Sequence, residues 1–361
     1  EHPLGIGLGL YQYEAPRYMF PVDGEIARYG WVAQAAHNEY LQMGVELGLP
    51  SIPLFFWGVL TIVQEVRKGL SVRLKRWQRG VLMGASSAAA GILLHAAVDS
   101  NLHEPAIAIL FIVCVGIALS VRRLSTSAVG ERRVVSVRSR IIAAFLSLLV
   151  IGGLVVEVVQ LGYAWMVYEE GSLAVMEKDL LRGILLYGNA VELDPSKAMY
   201  HRSLAAAHFQ MFQRNRNVEA VRTALVELQI ASTLNPLDGR TYERLGAVYA
   251  LLASFQFDSE QMSTLQRKQR AVLLQTAFAT YLRALEREPF SAFHRLELGR
   301  LSLTLGDPEG AQRFVQESLA IEPNFLPGRV WLVRFYLNTE QTNAAIREYH
   351  EIVERHKRYA S

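Results

Sequence analysis

The 361-residue sequence has almost no cysteine: Cys114 stands alone inside an apolar run, which excludes an internal disulfide and a cysteine-based zinc site. Charge is scarce as well, at 20% of residues, and the net charge is only +3. Much of that excess sits in two short arginine-rich stretches rather than on one face, so nucleic acid is excluded as a partner. The chain also lacks an Asp-x-Asp pair or a His/Asp cluster that would suggest a bound cation, and no metal or other cofactor is expected. Residue 1 is Glu1 rather than methionine, and no basic segment with a short apolar core precedes the first motif. The expectation is a chain without its N-terminal part and without a visible signal peptide.

Apolar residues make up 51% of the sequence but are unevenly spread. Long uncharged runs occupy the first half, whereas from Glu169 onward charged and apolar residues mix at helical spacing. Four runs, 49–66, 81–98, 105–121 and 141–161, approach the ~20 apolar residues needed to cross a bilayer. Arg67, Lys68, Arg73, Lys75, Arg76 and Arg79 lie between the first two runs without an acid among them. Arg122, Arg123, Arg132, Arg133, Arg138 and Arg140, against only Glu131, lie between the last two. The positive-inside rule makes both loops cytoplasmic. Residues 1–48, the turn around Asp99 and everything after about Gly162 then fall on the other side. No ionisable residue occupies the middle of a run, which argues against a transporter.

Prolines punctuate the second half at Pro195, Pro236, Pro289 and Pro323, and 34 residues separate the last two. That interval resembles the tetratricopeptide repeat. In this register Tyr242, Leu245, Gly246 and Tyr249 share a first helix, and Ala277, Tyr281 and Ala284 a second. Leu298, Gly299 and Ala311 follow in the next unit, then Leu332, Tyr336, Ala345 and Tyr349. The longer intervals of 41 and 53 residues imply insertions, with 254–269 as an extra polar loop. Such arrays offer binding surfaces for a protein partner.

Two features before the first run are unnecessary for a scaffold: the glycine-rich 3–9 segment, and His37-Asn38-Glu39-Tyr40-Leu41-Gln42 continuing to Glu46-Leu47-Gly48. With the later His95-x-x-x-Asp99 and His103, residues 1–121 resemble the C-terminal signature region of the O-antigen ligase and polymerase family. The resemblance implies an enzyme: a polytopic inner-membrane glycosyltransferase of the bacterial cell envelope, acting in lipopolysaccharide or polysaccharide biosynthesis. It would take a glycan from an undecaprenyl diphosphate carrier on the periplasmic face and pass it to a glycan, to lipid A core or to a protein. His37 is the expected catalytic base, because a histidine titrating near neutrality can accept the acceptor hydroxyl's proton. Arg17 and Arg28 are candidates for diphosphate binding through their fork of donors. Asn38, Tyr40, Gln42, Glu46, His95, Asp99 and His103 complete the candidate substrate-binding set. If 37–48 is helical, His37, Leu41, Gly44 and Gly48 share a face on which the glycines admit a substrate or a neighbouring helix.

The expected fold class is all-α: polytopic transmembrane helices followed by a tetratricopeptide-type α-solenoid. Residues 1–48 would form an extracytoplasmic loop, 49–162 a membrane domain of four transmembrane helices in contact with lipid, and 163–361 a periplasmic repeat domain. The competing expectation is a non-catalytic, membrane-anchored tetratricopeptide scaffold for cell-envelope polysaccharide assembly.

Overall fold

The structure is a computed structural model that describes residues 2–18, 35–126, 137–255 and 263–359. Every regular element among the described residues is helical. The chain forms two compact units. The described residues of the first fall within Glu1–Ala15 and Val32–Ala144, and those of the second within Pro16–Trp31 and Phe145–Ser361.

The first unit contains α1 (Tyr11–Glu14), α2 (Glu39–Leu47), α3 (Ser51–Leu70), α4 (Arg76–His95) and α5 (Pro105–Thr126), with a 3-10 turn at Asn101–His103. Helices α3, α4 and α5 pack around Leu82, Ala118 and Val121, joined by Val66, Leu70 and Leu74. Their outer faces leave Leu54, Trp57 and Ile112 largely exposed.

The expectation of four transmembrane helices is overturned here. Among the described residues a single helical stretch, Ala144–Met176, is long and apolar enough to cross a membrane. The apolar part of α5, Pro105–Val121, rises only about 26 Å at 1.5 Å per residue, short of a hydrocarbon core of ~30 Å. Glu65, Arg67 and Lys68 break the apolar run of α3, while Gly84, Ser86, Ser87, Gly91 and several alanines dilute that of α4. Absence of charge is not hydropathy, and small residues supply little of it.

The second unit holds α6 (Val137–Met176) from Phe145 onward and α7 (Leu180–Leu193). Hairpins follow: α8 (Ala198–Asn215) with α9 (Val218–Leu234), α10 (Gly239–Phe255) with α11 (Thr264–Arg287), α12 (Ala292–Thr304) with α13 (Pro308–Ile321), and α14 (Leu326–Asn338) with α15 (Thr342–Tyr359). Pro195, Pro236, Pro289 and Pro323 each stand two residues beyond a helix end, where a residue without an N–H cannot continue the hydrogen-bond ladder. Small residues set the spacing within hairpins, with Ala277, Ala284 and Ala311 fully buried and Gly246 against the ring of Tyr281. Tyr349 departs from the expected register and is exposed. Of the extra loop expected at 254–269, residues 256–262 lie outside the described residues, while 264–269 belong to α11, which starts at Thr264 because Ser263 and Gln266 form a capping box.

Candidate functional site

The HNEYLQ segment builds a polar cluster in the first unit. Asn38 is the N-cap of α2: its side chain accepts from Leu41 N–H at 3.0 Å and donates to Ala97 O at 2.8 Å. The Glu39 amide donates to Ala96 O at 2.9 Å. The free amides of this helix start are thus met by its own cap and by the end of α4. Tyr40 donates to Leu93 O at 2.6 Å and stacks on Phe56 at 5.4 Å.

Gln42 is buried and fully engaged. Its Oε1 accepts from Ala36 N–H and Ser100 Oγ, both at 3.1 Å, and its Nε2 donates to Glu46 Oε1 at 3.3 Å and faces His103 Nε2 at 3.2 Å. His103 lies between two buried carboxylates, with Nδ1 2.7 Å from Glu39 Oε1 and Nε2 3.6 Å from Glu46 Oε2. Glu46 also accepts from Gly9 N–H at 2.9 Å and Tyr11 N–H at 3.3 Å, tying the glycine-rich segment to α2. His95 turns to Asn101 Nδ2, 3.0 Å away.

Helix α2 begins at Glu39, so His37 precedes the helix instead of sharing a face with Gly44 and Gly48. It adopts φ +48°, and its side chain is 79% exposed with Nδ1 3.5 Å from Asp99 Oδ1. The Ser100 N–H, and then His37, hold the Asp99 carboxyl below its ordinary range. The glycines admit chain rather than ligand. A side chain at Gly44 would meet Ile52, and one at Gly48, with φ +87°, would strike the backbone of Leu4. Arg17 lies in the 3-10 turn Ala15–Tyr18, and Arg28 lies outside the described residues. The structure therefore brings Asn38, Tyr40, Gln42, Glu46, His95 and His103 into one region, spent largely on internal bonds, and leaves His37 and Asp99 facing solvent.

A second polar constellation lies along the first helices of successive hairpins, and no sequence motif announced it. Arg202 of α8 pairs with buried Asp238, which Arg240 also reaches at 3.1 Å. Buried His294 of α12 faces Glu243 of α10 at 3.2 Å and Glu288 at 3.8 Å. Arg300 meets Glu297 at 2.6 Å. Burial pushes the Glu288 and Glu297 carboxyls upward, with Glu243 adding repulsion and the nearby cations pulling back.

A repeated tie supports these helices. At three of the four turn prolines, Pro195, Pro289 and Pro323, the residue six further on reaches back to the proline carbonyl. His201 Nε2 lies 3.0 Å from Pro195 O, Arg295 donates to Pro289 O, and Arg329 donates to Pro323 O at 3.0 Å. Each of these side chains then meets a glutamate of the second helix: Glu227, Glu317 and Glu348 respectively. The constant six-residue spacing was visible in the sequence, but the residue type changes from His to Arg, which hides it.

No protein-family model matches the chain. Small glutamine-rich tetratricopeptide repeat-containing protein 2 of Mycosarcoma maydis is 35% identical over 85 residues, 24% of this chain and 22% of that protein. The chain thus spans about a fifth of that relative's length. Among solved structures, a crystal structure of MamA is 16% identical, with 53% of this chain and 96% of that chain covered at a TM-score of 0.41. TTC0263, a thermophilic TPR protein in Thermus thermophilus, is 19% identical, with 53% and 91% covered at 0.42. The first TPR of Spaghetti (RPAP3), bound to an HSP90 peptide, is 23% identical, with 39% and 92% covered at 0.30.

The similarity found is to a tetratricopeptide-repeat protein, and the described residues are all-α with one candidate span among them. The reading as an O-antigen ligase or polymerase is overturned, and with it the glycosyltransferase activity. Its motif positions are occupied by helix caps and internal hydrogen bonds, which a fold needs whatever its chemistry. The second unit is a tetratricopeptide-type array of helical hairpins, a scaffold fold.

Proposed function

We propose that the chain is a non-catalytic scaffold that recruits a protein partner along its helical hairpins and is tethered to a membrane by α6. The observation that carries this reading is the adjacency of α8, α10 and α12 across hairpins, where His294 of α12 reaches Glu243 of α10 and Arg202 of α8 reaches Asp238. First helices brought side by side offer an extended surface made of many short segments, the form in which repeat arrays bind chains. Arg240, Glu243, Glu297 and Arg300 on that surface keep part of their side chains in solvent. They are free to exchange internal partners for those of a bound segment.

The tether reading is motivated by the middle of α6, where Val155, Val156, Val158 and Val159 are all exposed. Neighbouring residues of a helix point in different directions, so an apolar surface on every side requires an apolar surround. Beyond it, Ala164 is buried and Tyr168 stacks on Tyr200 at 5.0 Å, so the C-terminal part of the same helix packs against α7 and α8. Arg122, Arg123, Arg132, Arg133, Arg138 and Arg140 precede the apolar stretch, which favours a cytoplasmic start and repeats on the extracytoplasmic side of a bacterial inner membrane. Cell-envelope assembly is the setting this orientation suggests.

The test places a photo-crosslinking amino acid at Arg240 or Arg300, and at Gln266 of α11 as control, in the full chain in living cells. The reading expects one defined protein captured from both groove positions and not from the control. The purified partner should bind the full chain, and Glu243→Lys with Arg300→Glu should weaken that binding at least tenfold. No capture from the groove positions, or equal capture from the control, overturns it. Orientation is read separately with Gln341→Cys in a Cys114→Ser background. Labelling by an impermeant maleimide in spheroplasts is expected, and protection until lysis refutes it.

A further inference from the structure

Hairpin stacks on hairpin in the second unit through the same three positions of each second helix. On α11 these are Phe278, Tyr281 and Leu285, clustered with Leu298 and Leu301 of α12. A step of 34 residues, the interval from Pro289 to Pro323, leads to Gln312, Val315 and Leu319 on α13. Gln312 donates to the Tyr336 hydroxyl of α14 at 3.2 Å, and Val315 and Leu319 cluster with Leu332, Phe335 and Tyr336. The next such step lands on Ile346, Tyr349 and Val353 of α15. All three are apolar, yet Ile346 is 48% and Tyr349 58% exposed, where Val315 is fully buried. Beside them Val330 of α14 is exposed at the place where Leu296 of α12 is buried. The last described hairpin thus keeps the face that elsewhere receives a helix, whereas the end of a repeat array is ordinarily polar.

The charges around this face are arranged for a second copy of the chain. Arg347 and Glu354 are exposed on α15 two turns apart, on one flank of Ile346 and Val353, with His350 between them. A two-fold axis beside His350 runs two such helices antiparallel and sets Arg347 of each copy against Glu354 of the other. Among the described residues no acid pairs with Arg347, and Glu354 meets Lys357 at 3.2 Å in an exposed pair that is exchanged at little cost. Stacking onto the other end of the array lacks this match. Gly171 of α6 lies against Leu186 and Tyr187 as Gly299 lies, at the same spacing, against Phe314 and Val315. That register puts Glu170 at the place of Leu298, so α6 would carry a carboxylate into an apolar face.

We propose that the chain self-associates through α15, a second copy docking antiparallel about a two-fold axis beside His350, with Ile346, Tyr349 and Val353 covered and each Arg347 paired with Glu354 of the other copy. This interface is distinct from the surface of the first helices and from α6, and it stands without the partner or the tether.

The test uses the full chain purified in mild detergent, with Cys114→Ser and one new cysteine. On mild oxidation His350→Cys, beside the axis, should give at least tenfold more disulfide-linked dimer than Arg222→Cys, an exposed position on α9. Added to His350→Cys, Arg347→Glu brings like charges together, and so does Glu354→Arg; each should cut the dimer at least fivefold. An equimolar mixture of the two reversed chains should restore it, because one copy then offers two acids and the other two bases. The double variant Arg347→Glu with Glu354→Arg should restore it as well, which a mere failure to fold would not allow. Cross-linking of His350→Cys no better than that of Arg222→Cys overturns the proposal. Reversals without effect overturn it too, as does a loss that neither the mixture nor the double variant repairs. A chain that sediments as a monomer at every concentration leaves the face to another protein or to a further helix, and likewise overturns it.

Discussion

Gly246 and Gly188 make the same substitution run in opposite directions. Both lie inside helices of the second unit, α10 and α7, where alanine is favoured over glycine by about 1 kcal/mol because glycine loses more backbone freedom on folding. A methyl group added at Gly188 meets nothing within 4 Å, whereas at Gly246 it lies 2.6 Å from Cδ2 and 2.7 Å from Cε2 of Tyr281. Carbon atoms pack comfortably at about 3.5–4.0 Å, so the ring must retreat by roughly 1 Å. It has little room to do so: Tyr281 is only 3% exposed and belongs to a cluster with Ala253, Leu274, Ala277, Leu298 and Leu301. Overpacking of this kind costs about 1–3 kcal/mol. Because the propensity gain is common to both variants, the difference between Gly188→Ala and Gly246→Ala isolates the cost of the clash. Urea unfolding of the full chain should place Gly188→Ala above wild type and Gly246→Ala below Gly188→Ala by about 1–3 kcal/mol. Hydrogen exchange should show the loss concentrated in α10 and α11, since hairpins of an array open locally. A Gly246→Ala midpoint at or above that of Gly188→Ala would show that these helices do not meet so closely.

Further expectations concern buried charge and the first unit. Arg329 is 8% exposed and joins Pro323 O to Glu348, so Arg329→Leu, which strands a buried carbonyl and a carboxylate, should destabilise the last hairpin by about 2–4 kcal/mol in thermal unfolding. Burial raises the carboxyls of Glu288 and Glu297. Their folded state therefore holds protons more tightly than the unfolded chain, and the stability they lend below the ordinary carboxylate range is lost as pH rises through their elevated values. Glu288→Gln should stabilise the array at pH 7 and lose its advantage near pH 4, and an advantage unchanged with pH would refute the assignment. Glu46→Ala should remove amide protection at Gly9 and Tyr11 in hydrogen exchange while leaving α4 and α5 protected, because Glu46 accepts from both backbone N–H groups. His37→Ala, at an exposed ring with one long contact, should leave the melting temperature unchanged, whereas Gln42→Ala should lower it.

The hairpin array was legible in the sequence because its determinants are local and repeated. The turn prolines, the small residues at Gly246, Ala277 and Ala284, and the large ones at Leu298 and Leu332 are fixed by helix spacing alone. What escaped was register at the edges. Tyr349 follows the pattern yet is exposed on α15, the last helix among the described residues. The 254–269 stretch reads as loop from its Gln and Ser content, although Ser263 followed three residues later by Gln266 is a helix-start signal. In the first half, four uncharged runs look alike because counting charges ignores how little a glycine, serine or alanine contributes to transfer from water.

The HNEYLQ segment shows why a motif's residues were visible while their use was not. Asn followed by Glu is itself a helix start, so Asn38 could have placed His37 outside the helix and removed the face it was to share with Gly44 and Gly48. The partners of the others are distant in sequence. Tyr40 reaches Leu93 O, Ser100 reaches Gln42, and His103 reaches Glu39 and Glu46. A polar residue type reveals a capacity for hydrogen bonding, but only the fold decides whether that capacity is spent internally or left for a ligand. At Gln42 the amide is met on both its oxygen and its nitrogen by protein atoms, while at Ser86, a residue with no motif around it, the hydroxyl is left unmatched. The open valences of this unit therefore include Ser86 Oγ on α4, in a run whose composition of small residues gave no sign of it, beside Glu39 Oε2 and Asn101 Oδ1 within the motif's own cluster.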